Sequence, residues 1–545
     1  MTKKILAILL TILLCAGVLA CQTNNGADTG SASDAQAAVD QSITAKEATG
    51  EFSMTTEDGS FTESDSIYTV TSSGTYVLSG YLNGQIVVNA GDDDEVVLEL
   101  TGTTITYGDD SPIKIVSAGS VNISAKKSTE NLVNDTRAAK TAENDDQGES
   151  AIYAVCDLKI KGSGVLVVNA SYNNGIHTTK DLKIQKLTLK VTAYGNALKG
   201  NDSVTILSGT VAAISTNGDG VKTTETDKNK YDETRGDISI LGGSVTIYAA
   251  GDGIQAAHDF EMATGEEGSV PDLTIYTGSY SGYTASSAST TSYKGVKAEN
   301  ELNISDGTIT LYTYDDGLHA NTGTAFEDGS TGLGTISISG GTITMSVYAP
   351  ENKTAGGKQG PDGWSSQQTV SGADGVHADS EINISGGTLN IDSAYEGLEA
   401  NVINISGGKT TVSANDDGVN ACKGASTPLI NVTGGVLDVT VSANGDTDGI
   451  DSNGNYVQTG GVVITRGPNS DFSAAIDADG SVTISGGTLI VLGYGRVTTS
   501  GDVKSYSLSL HSSGSHSVKI DGTTYSFTNA EAYGSTSCYS DVSIQ

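Results

Sequence analysis

A right-handed, single-stranded parallel β-helix with about 22 residues per coil is the fold this sequence predicts, and three observations predict it. The first is a recurring phrase, Asp-Gly-(Val/Ile/Leu)-x-Ala. Its glycine falls at Gly175, Gly220, Gly253, Gly295, Gly317, Gly375, Gly397, Gly418 and Gly449, and Ala151, Ala197 and Ala475 hold the same place in degenerate copies. The commonest steps are 21 to 24 residues, a period at which each unit buries its apolar face only against its neighbours. The second observation is apolar alternation with period two inside each unit, which means strand. The third is what is missing. There is no leucine ladder and no helical periodicity, only 6 Pro occur in 545 residues, and the unit is too short for a propeller blade of roughly 40 residues.

Each coil accommodates three strands. Around Gly375 the first is Gly375-Val376-His377-Ala378, with Val376 and Ala378 inward. The second is Glu381-Ile382-Asn383-Ile384-Ser385, with Ile382 and Ile384 inward. The third is Gly387-Thr388-Leu389-Asn390-Ile391-Asp392-Ser393, with Leu389 and Ile391 inward. Right-handedness follows from the strong preference of parallel crossovers. The long steps carry inserts at 224–237, 258–293, 321–334 and 348–372, all entering at two turns, and loops gathered over one side of a solenoid mark its working face.

The ends depart from the repeat. Residues 1–20 hold Lys3 and Lys4 followed by an apolar run too short to span a bilayer, which reads as an export signal. Cys21 directly behind Val18-Leu19-Ala20 reads as a lipidation site, and the polar stretch to residue 51 as a flexible linker. Residues 52–494 form the solenoid, with residues 126–150 expected as one polar loop. Residues 495–545, with alternation at Tyr506, Leu508, Leu510 and again at Val518, Ile520, are expected to close the C-terminal edge as a β cap. The product is expected to be a monomer on the outer face of the cell membrane, touching lipid only through Cys21.

The net charge of −36 argues against nucleic acid and anionic membrane surfaces as partners and in favour of cations. Apart from Cys15 and Cys21 the cysteines are Cys156, Cys422 and Cys538, too scattered for a disulfide framework.

Function in such a chain is read from columns. One residue before the repeat glycine lie Asn174, Asn196, Asp219, Asp252, Asp316, Asp374, Glu396, Asp417 and Asp448, with Lys294 as the basic interruption. Neighbouring coils stand about 4.8 Å apart, so these carboxylates repel unless protons or a bound cation neutralise them. Many hard oxygens point to Ca²⁺ as the cofactor, with Asp219, Asp252, Asp316, Asp374, Glu396, Asp417, Asp448 and Asp451 as candidate ligands. The competing reading is that Asp and Asn before Gly are ordinary turn residues. Two residues past the glycine runs an outward column: His177, Lys199, Lys222, Gln255, Lys297, His319, His377, Glu399, Asn420, Asp451 and Asp477. Lys199, Lys222, Lys297, His319 and His377 are candidate contacts for a carboxylate-bearing glycan; the alternative is a solvated face neutralising the acidic turn. The histidines lack the spacing of a zinc site, since long inserts separate His319 from His377. Tyr194, Tyr248, Tyr312, Tyr314 and Tyr348 fall on outward positions near the acidic turn. Tyr312 and Tyr314 are the candidate stacking platforms for a sugar ring, and Trp364 is another on an insert.

The stretches Ala151-Ile152-Tyr153-Ala154, Cys156-Asp157-Leu158-Lys159-Ile160, Tyr172-Asn173-Asn174-Gly175-Ile176 and Lys180-Asp181-Leu182-Lys183-Ile184 resemble a bacterial carbohydrate-binding family first defined in cellulolytic clostridia. The later Ile384-Ser385-Gly386-Gly387-Thr388 and Asp374-Gly375-Val376 phrases are similar to its repeats. The resemblance spans roughly residues 60 to 490. It implies an exported protein with a β-helix like that of polysaccharide lyases, calcium held by the Asp-Gly positions, and plant polysaccharide of cellulose or acidic type as ligand. Two function classes stay open beside a plain adhesin or spacer. One is a non-catalytic polysaccharide-binding lipoprotein, for which no catalytic residue is assigned. The other is a calcium-dependent polysaccharide lyase, with Lys199, Lys222 or Lys297 as the proton-abstracting base.

Overall fold

The computed structural model describes residues 43–141, 149–230, 232–266, 268–282, 292–326, 329–348, 373–445, 447–470 and 472–545. The export segment, Cys21, and most of the insert that contains Trp364 lie outside the described residues. Apart from one 3-10 turn at Gly278–Ser281, the regular elements described are all strands, and nearly all of them belong to one large, mostly parallel sheet system.

Three parallel ladders run through that system, because each repeat strand pairs with the strand three places further on. In the short ladder, Val221–Lys222 pairs with Ile254–Ala256, which pairs with Val296–Ala298 and then Leu318–Ala320. In the middle ladder, Asp237–Ile240 is followed by Phe260–Met262 and Glu301–Ile304. In the long ladder, Ser244–Ala249, Asp272–Thr277, Thr308–Thr313 and Thr342–Val347 stack in register. The inserts do not disturb this register: His319 faces His377 across the short ladder although 57 residues intervene.

Alternation explains the core. Val245 and Ile247, Leu273 and Ile275, Ile309 and Leu311, and Leu389 and Ile391 are buried from strand after strand, forming one continuous apolar cluster along the axis. Two glycine rows allow the stacking. In the Ser-Gly-Gly-Thr turn the second glycine has φ near +75° in successive repeats (Gly387 74°, Gly408 71°, Gly435 75°), a conformation L side chains disfavour. At the acidic turn the reason is proximity. A Cβ on Gly253 would lie 2.3 Å from Ile275 Cγ2 and 2.6 Å from the Gly295 carbonyl oxygen.

The expectation of one loop over 126–150 needs correction. Glu130–Asp135 is a strand that pairs in parallel with Val165–Ala170. Only Leu132 and Val133 mark it as apolar. It is held as well by buried polar groups: Asn131 Oδ1 accepts from the Gly102 and Thr103 amides at 2.9 and 3.0 Å, and buried Arg137 forks onto Asp135 with Nη2–Oδ2 at 2.6 Å. At the other end the ladders stop against antiparallel structure. Thr536–Ser540 runs antiparallel to Thr488–Leu492, and the hairpin Gly514–Ile520/Thr523–Asn529 adds Val518, Ile520 and Phe527 to a separate small core.

Gly253→Ala is expected to destabilise the protein by at least about 2 kcal/mol, because backbone and a core isoleucine must both move. Gly50→Ala, which meets nothing within 4 Å, should change stability by less than about 0.5 kcal/mol. Denaturant midpoints of the two variants check this.

Candidate functional site: the acidic turn and its neighbouring columns

The acidic turn lies where the long ladder passes into the short one, and its column residues are joined by a repeated hydrogen bond. The side-chain oxygen of one column residue accepts the backbone N–H of the column residue in the next repeat. Asn174 Oδ1 takes the Asn196 amide (3.0 Å), Asn196 Oδ1 that of Asp219 (2.9 Å), Asp219 Oδ1 that of Asp252 (3.0 Å) and Asp252 Oδ1 that of Lys294 (2.7 Å). Further on, Asp316 Oδ1 takes the Asp374 amide (2.8 Å) and Asp417 Oδ1 that of Asp448 (2.7 Å). This explains why Asn and Asp interchange in the column: either supplies the acceptor. Lys294 cannot, and the amide that should rest on it, that of Asp316, turns to Asp315 Oδ1 instead (2.9 Å). The turn-residue reading therefore accounts for one oxygen of Asn174, Asn196, Asp219, Asp252, Asp316 and Asp417.

The second oxygen faces the outward column, and here the two halves of the protein differ. In the first half the chain supplies its own cations. Asp219 Oδ2 accepts from Lys222 Nζ at 2.8 Å, and Asp316 Oδ2 accepts from Lys294 Nζ at 2.9 Å and faces His319 Nδ1 at 2.7 Å. Asp374 Oδ2 lies 2.9 Å from His377 Nδ1. At Asp252 the Ser292 hydroxyl (2.7 Å) joins the Lys294 amide on the same oxygen, Oδ1, and burial together with the neighbouring Asp219 pushes its carboxyl up to about 7. In the second half Glu396, Asp417 and Asp451 have no Lys, Arg or His partner among the described residues. Burial, with the Asp374, Glu399 and Asp417 charges beside it, pushes Glu396 up to about 9. Burial and Asp416 push Asp417 up to about 8, and burial with Asp477 and Asp479 pushes Asp451 up to about 6.

The residues expected to touch a ligand are brought into one row, but not as free groups. Short-ladder register places Lys199 beside Lys222, then Gln255, Lys297, His319, His377, Glu399, Asn420 and Asp451. Lys222 also donates to Gln255 Oε1 (2.6 Å), and Lys297 pairs with Glu299 at 2.7 Å, so neither ammonium is free. Burial lowers the pKa of Lys199, with Lys222 adding to the shift and Glu149 opposing it. His319 and His377, expected to be kept apart by the insert, stack at 4.7 Å with ring planes 7° apart. The insert loops out and leaves the register intact.

A further column was not read from the sequence. Four residues past the repeat glycine lie Glu299, Asn321 and Asp379, and these pair with the outward residue two places earlier: Glu299 with Lys297, Asn321 Oδ1 with His319 Nε2 (2.5 Å) and Asp379 Oδ1 with His377 Nε2 (3.4 Å). The same alignment that revealed the other columns held the signal.

The tyrosines divide into a covered stack and an open one. Tyr248, Tyr276 and Tyr312 stack at 4.8 and 5.0 Å with rings 4° and 7° apart. Tyr248 was expected to be exposed and is buried, for the turn Gly278–Ser281 packs against its strand. Tyr314 and Tyr348 stack at 4.4 Å and remain 37% and 40% exposed, and Tyr293 meets Tyr314 edge-on. The insert at 224–237 does not border the acidic turn. It walls a cleft of about 840 Å³ at the opposite end of the short strands, lined by Val116, Val155, Lys180, Asp202, Lys228 and Arg235.

The second-half carboxylates should make stability depend on pH in a definite sense. Their folded pKa values are raised, so the folded state binds more protons than the unfolded chain between about pH 4 and about pH 9. With chelator present, the melting temperature should fall as pH rises through that window. Asp417→Asn should flatten the fall, and equal melting temperatures at both ends would contradict the assignment.

Comparison with known proteins identifies the family. A family model described as "Carbohydrate-binding domain-containing protein" matches residues 64–347 and 324–418. A protein of that same description from Acetivibrio thermocellus is 41% identical over 117 residues, covering 21% of this chain and 41% of the relative; the match thus spans about two-fifths of that relative's length. A solved structure of a polysaccharide lyase-like protein from C. thermocellum is 33% identical, covering 46% of this chain and 91% of that one, with a TM-score of 0.38. With its family model covering well over half of the sequence, the chain belongs to the carbohydrate-binding domain-containing protein family.

Proposed function

We propose that this protein is a non-catalytic, calcium-dependent polysaccharide-binding lipoprotein. In this reading the three ladders wind as a right-handed β-helix over residues 52–494, with residues 495–545 as its cap. The monomer is exported and held at the outer face of the membrane by lipid on Cys21. Family membership supports glycan binding in general. The observation that carries the rest is an exposed Tyr314–Tyr348 stack on the same face as an acidic column in which Glu396 and Asp417 have no Lys, Arg or His partner among the described residues.

Calcium fits the second half of the column. Glu396, Asp417, Asp448 and Asp451 offer carboxylate oxygens, and Asn420 Oδ1 and Thr447 Oγ1 are buried there without a hydrogen-bond partner. Hard oxygens on adjacent turns, some of them already accepting a single backbone or amide hydrogen bond, suit an ion that takes about six to eight of them with tolerant geometry. In the first half, a metal at Asp219 or Asp316 would first have to displace Lys222 or Lys294. Bound calcium would supply a positive charge able to bridge protein carboxylates to a uronate, which makes acidic, plant-type polysaccharide the favoured ligand. The sugar face would lie on Tyr314 and Tyr348, whose rings are flat and partly polar.

The lyase reading is disfavoured by distance. Burial lowers the pKa of Lys199, yet it stands six short-ladder steps from Glu399, roughly 29 Å at strand spacing. Lys222 and Lys297 are engaged by Asp219 and Glu299.

Retention on immobilised polygalacturonate should need Ca²⁺ and fall at least about 10-fold for Tyr314→Ala/Tyr348→Ala, two stacking contacts being removed. Asp417→Asn/Asp451→Asn should remove the calcium dependence, and no unsaturated uronate should form. Calcium-dependent release of unsaturated product, abolished by one Lys→Ala change, would make the protein a lyase. Retention indifferent to both chelator and the tyrosine changes would rule out this site.

A further inference from the structure

We propose that Asp374, His377 and Glu399 form a separate binding site for one transition-metal ion of the Zn²⁺ class, with a fourth position open to water. Asp374 belongs to the acidic column, while His377 and Glu399 are consecutive members of the outward column. Short-ladder pairing sets His377 directly beside Glu399. Their ligand atoms converge: His377 Nδ1 lies 2.9 Å from Asp374 Oδ2 and 3.0 Å from Glu399 Oε2, and all three fall within 4.8 Å of one another. Ligands about 2.1 Å from a tetrahedral zinc stand about 3.4 Å apart, so each carboxylate oxygen needs to draw back from His377 Nδ1 by only about half an ångström.

The surroundings are those of a held site. The other ring nitrogen, His377 Nε2, faces Asp379 Oδ1 at 3.4 Å, which fixes the ring with Nδ1 directed inward. Asp379 is itself held by the Thr322 amide, which donates to its Oδ2 at 2.7 Å. Burial and the neighbouring Glu399 push the Cys422 thiol up to about 11. His319 stacks flat against His377, but its own nitrogens are taken up by Asp316 and Asn321, so it braces the ring without competing for the metal. Three carboxylates around one imidazole leave the group negative even when the ring is protonated, and a divalent ion would replace that proton.

Ligand chemistry separates this site from the calcium positions. An imidazole nitrogen suits zinc and is a poor ligand for Ca²⁺, which takes oxygens. A second group, Asp237, His258 and Asp259, has comparable spacing, but its carboxylates already cap backbone amides: Asp237 Oδ1 accepts from Asp259 and Asp259 Oδ1 from Glu301. It serves as the control.

The test is calorimetric titration of full-length, chelator-treated protein with Zn²⁺ alone. One tight equivalent is expected, undisturbed by a large excess of Ca²⁺. His377→Gln should weaken it at least about 100-fold and Asp379→Asn about 10- to 100-fold, whereas His258→Gln should leave it unchanged. Absence of binding, displacement of Zn²⁺ by equimolar Ca²⁺, or loss of the tight equivalent in His258→Gln would overturn the proposal. If His377→Gln fails to fold, Asp379→Asn decides: unaltered affinity in that variant would also overturn it.

Discussion

The hydrogen bond from one repeat's turn amide to the previous repeat's side-chain oxygen is the constraint on which the rest depends. It ties Asn174 to Asn196, Asp219, Asp252 and onward, and it requires a side-chain acceptor wherever it forms, Lys294 being bypassed through Asp315. Because the donors are backbone amides at strand spacing, the acceptors must stack at strand spacing too. A row of short carboxylates is one way to meet that demand, and it brings a penalty in repulsion that some other charge must offset. The lysines, the histidines and the proposed calcium all follow from that offset.

The protein meets the offset differently along its length. Lys222, Lys294, His319 and His377 serve the first half from within the chain. Past Glu396 the outward column itself turns acidic or neutral, and protons or external cations are left to do the work. The exposed tyrosine pair sits near the middle of this gradient, beside the turn that carries Asp315 and Asp316. In the proposed reading, a ligand lying along the face would thus meet an ion-paired surface on one side and the carboxylates proposed to hold calcium on the other. The binding function proposed here is a property of that asymmetry more than of any single residue.

The columns were legible in the sequence because a β-ladder turns a repeat spacing directly into spatial adjacency. His319 and His377 show where this reasoning needs care: a long insert reads as separation, yet the register passes beneath it unchanged. What the alignment could not show is the reach of long side chains. Lys222 and Lys297 align as outward cations, and only their Nζ positions show them spent on Asp219 and Glu299. Burial of an outward residue was equally hidden, since Tyr248 is covered by a turn from a later insert. Strand Glu130–Asp135 escaped because buried Asn131 and the Arg137–Asp135 pair hold what its thin apolar pattern does not announce.

The most direct test of the account is a crystal structure of the protein grown with Ca²⁺, read by anomalous difference density along the acidic column. The account places the ion among Glu396, Asp417, Asp448 and Asp451, with Asp219 still on Lys222 and Asp316 still on Lys294. Density beside Asp219 with Lys222 turned away, and none past Glu396, would contradict it.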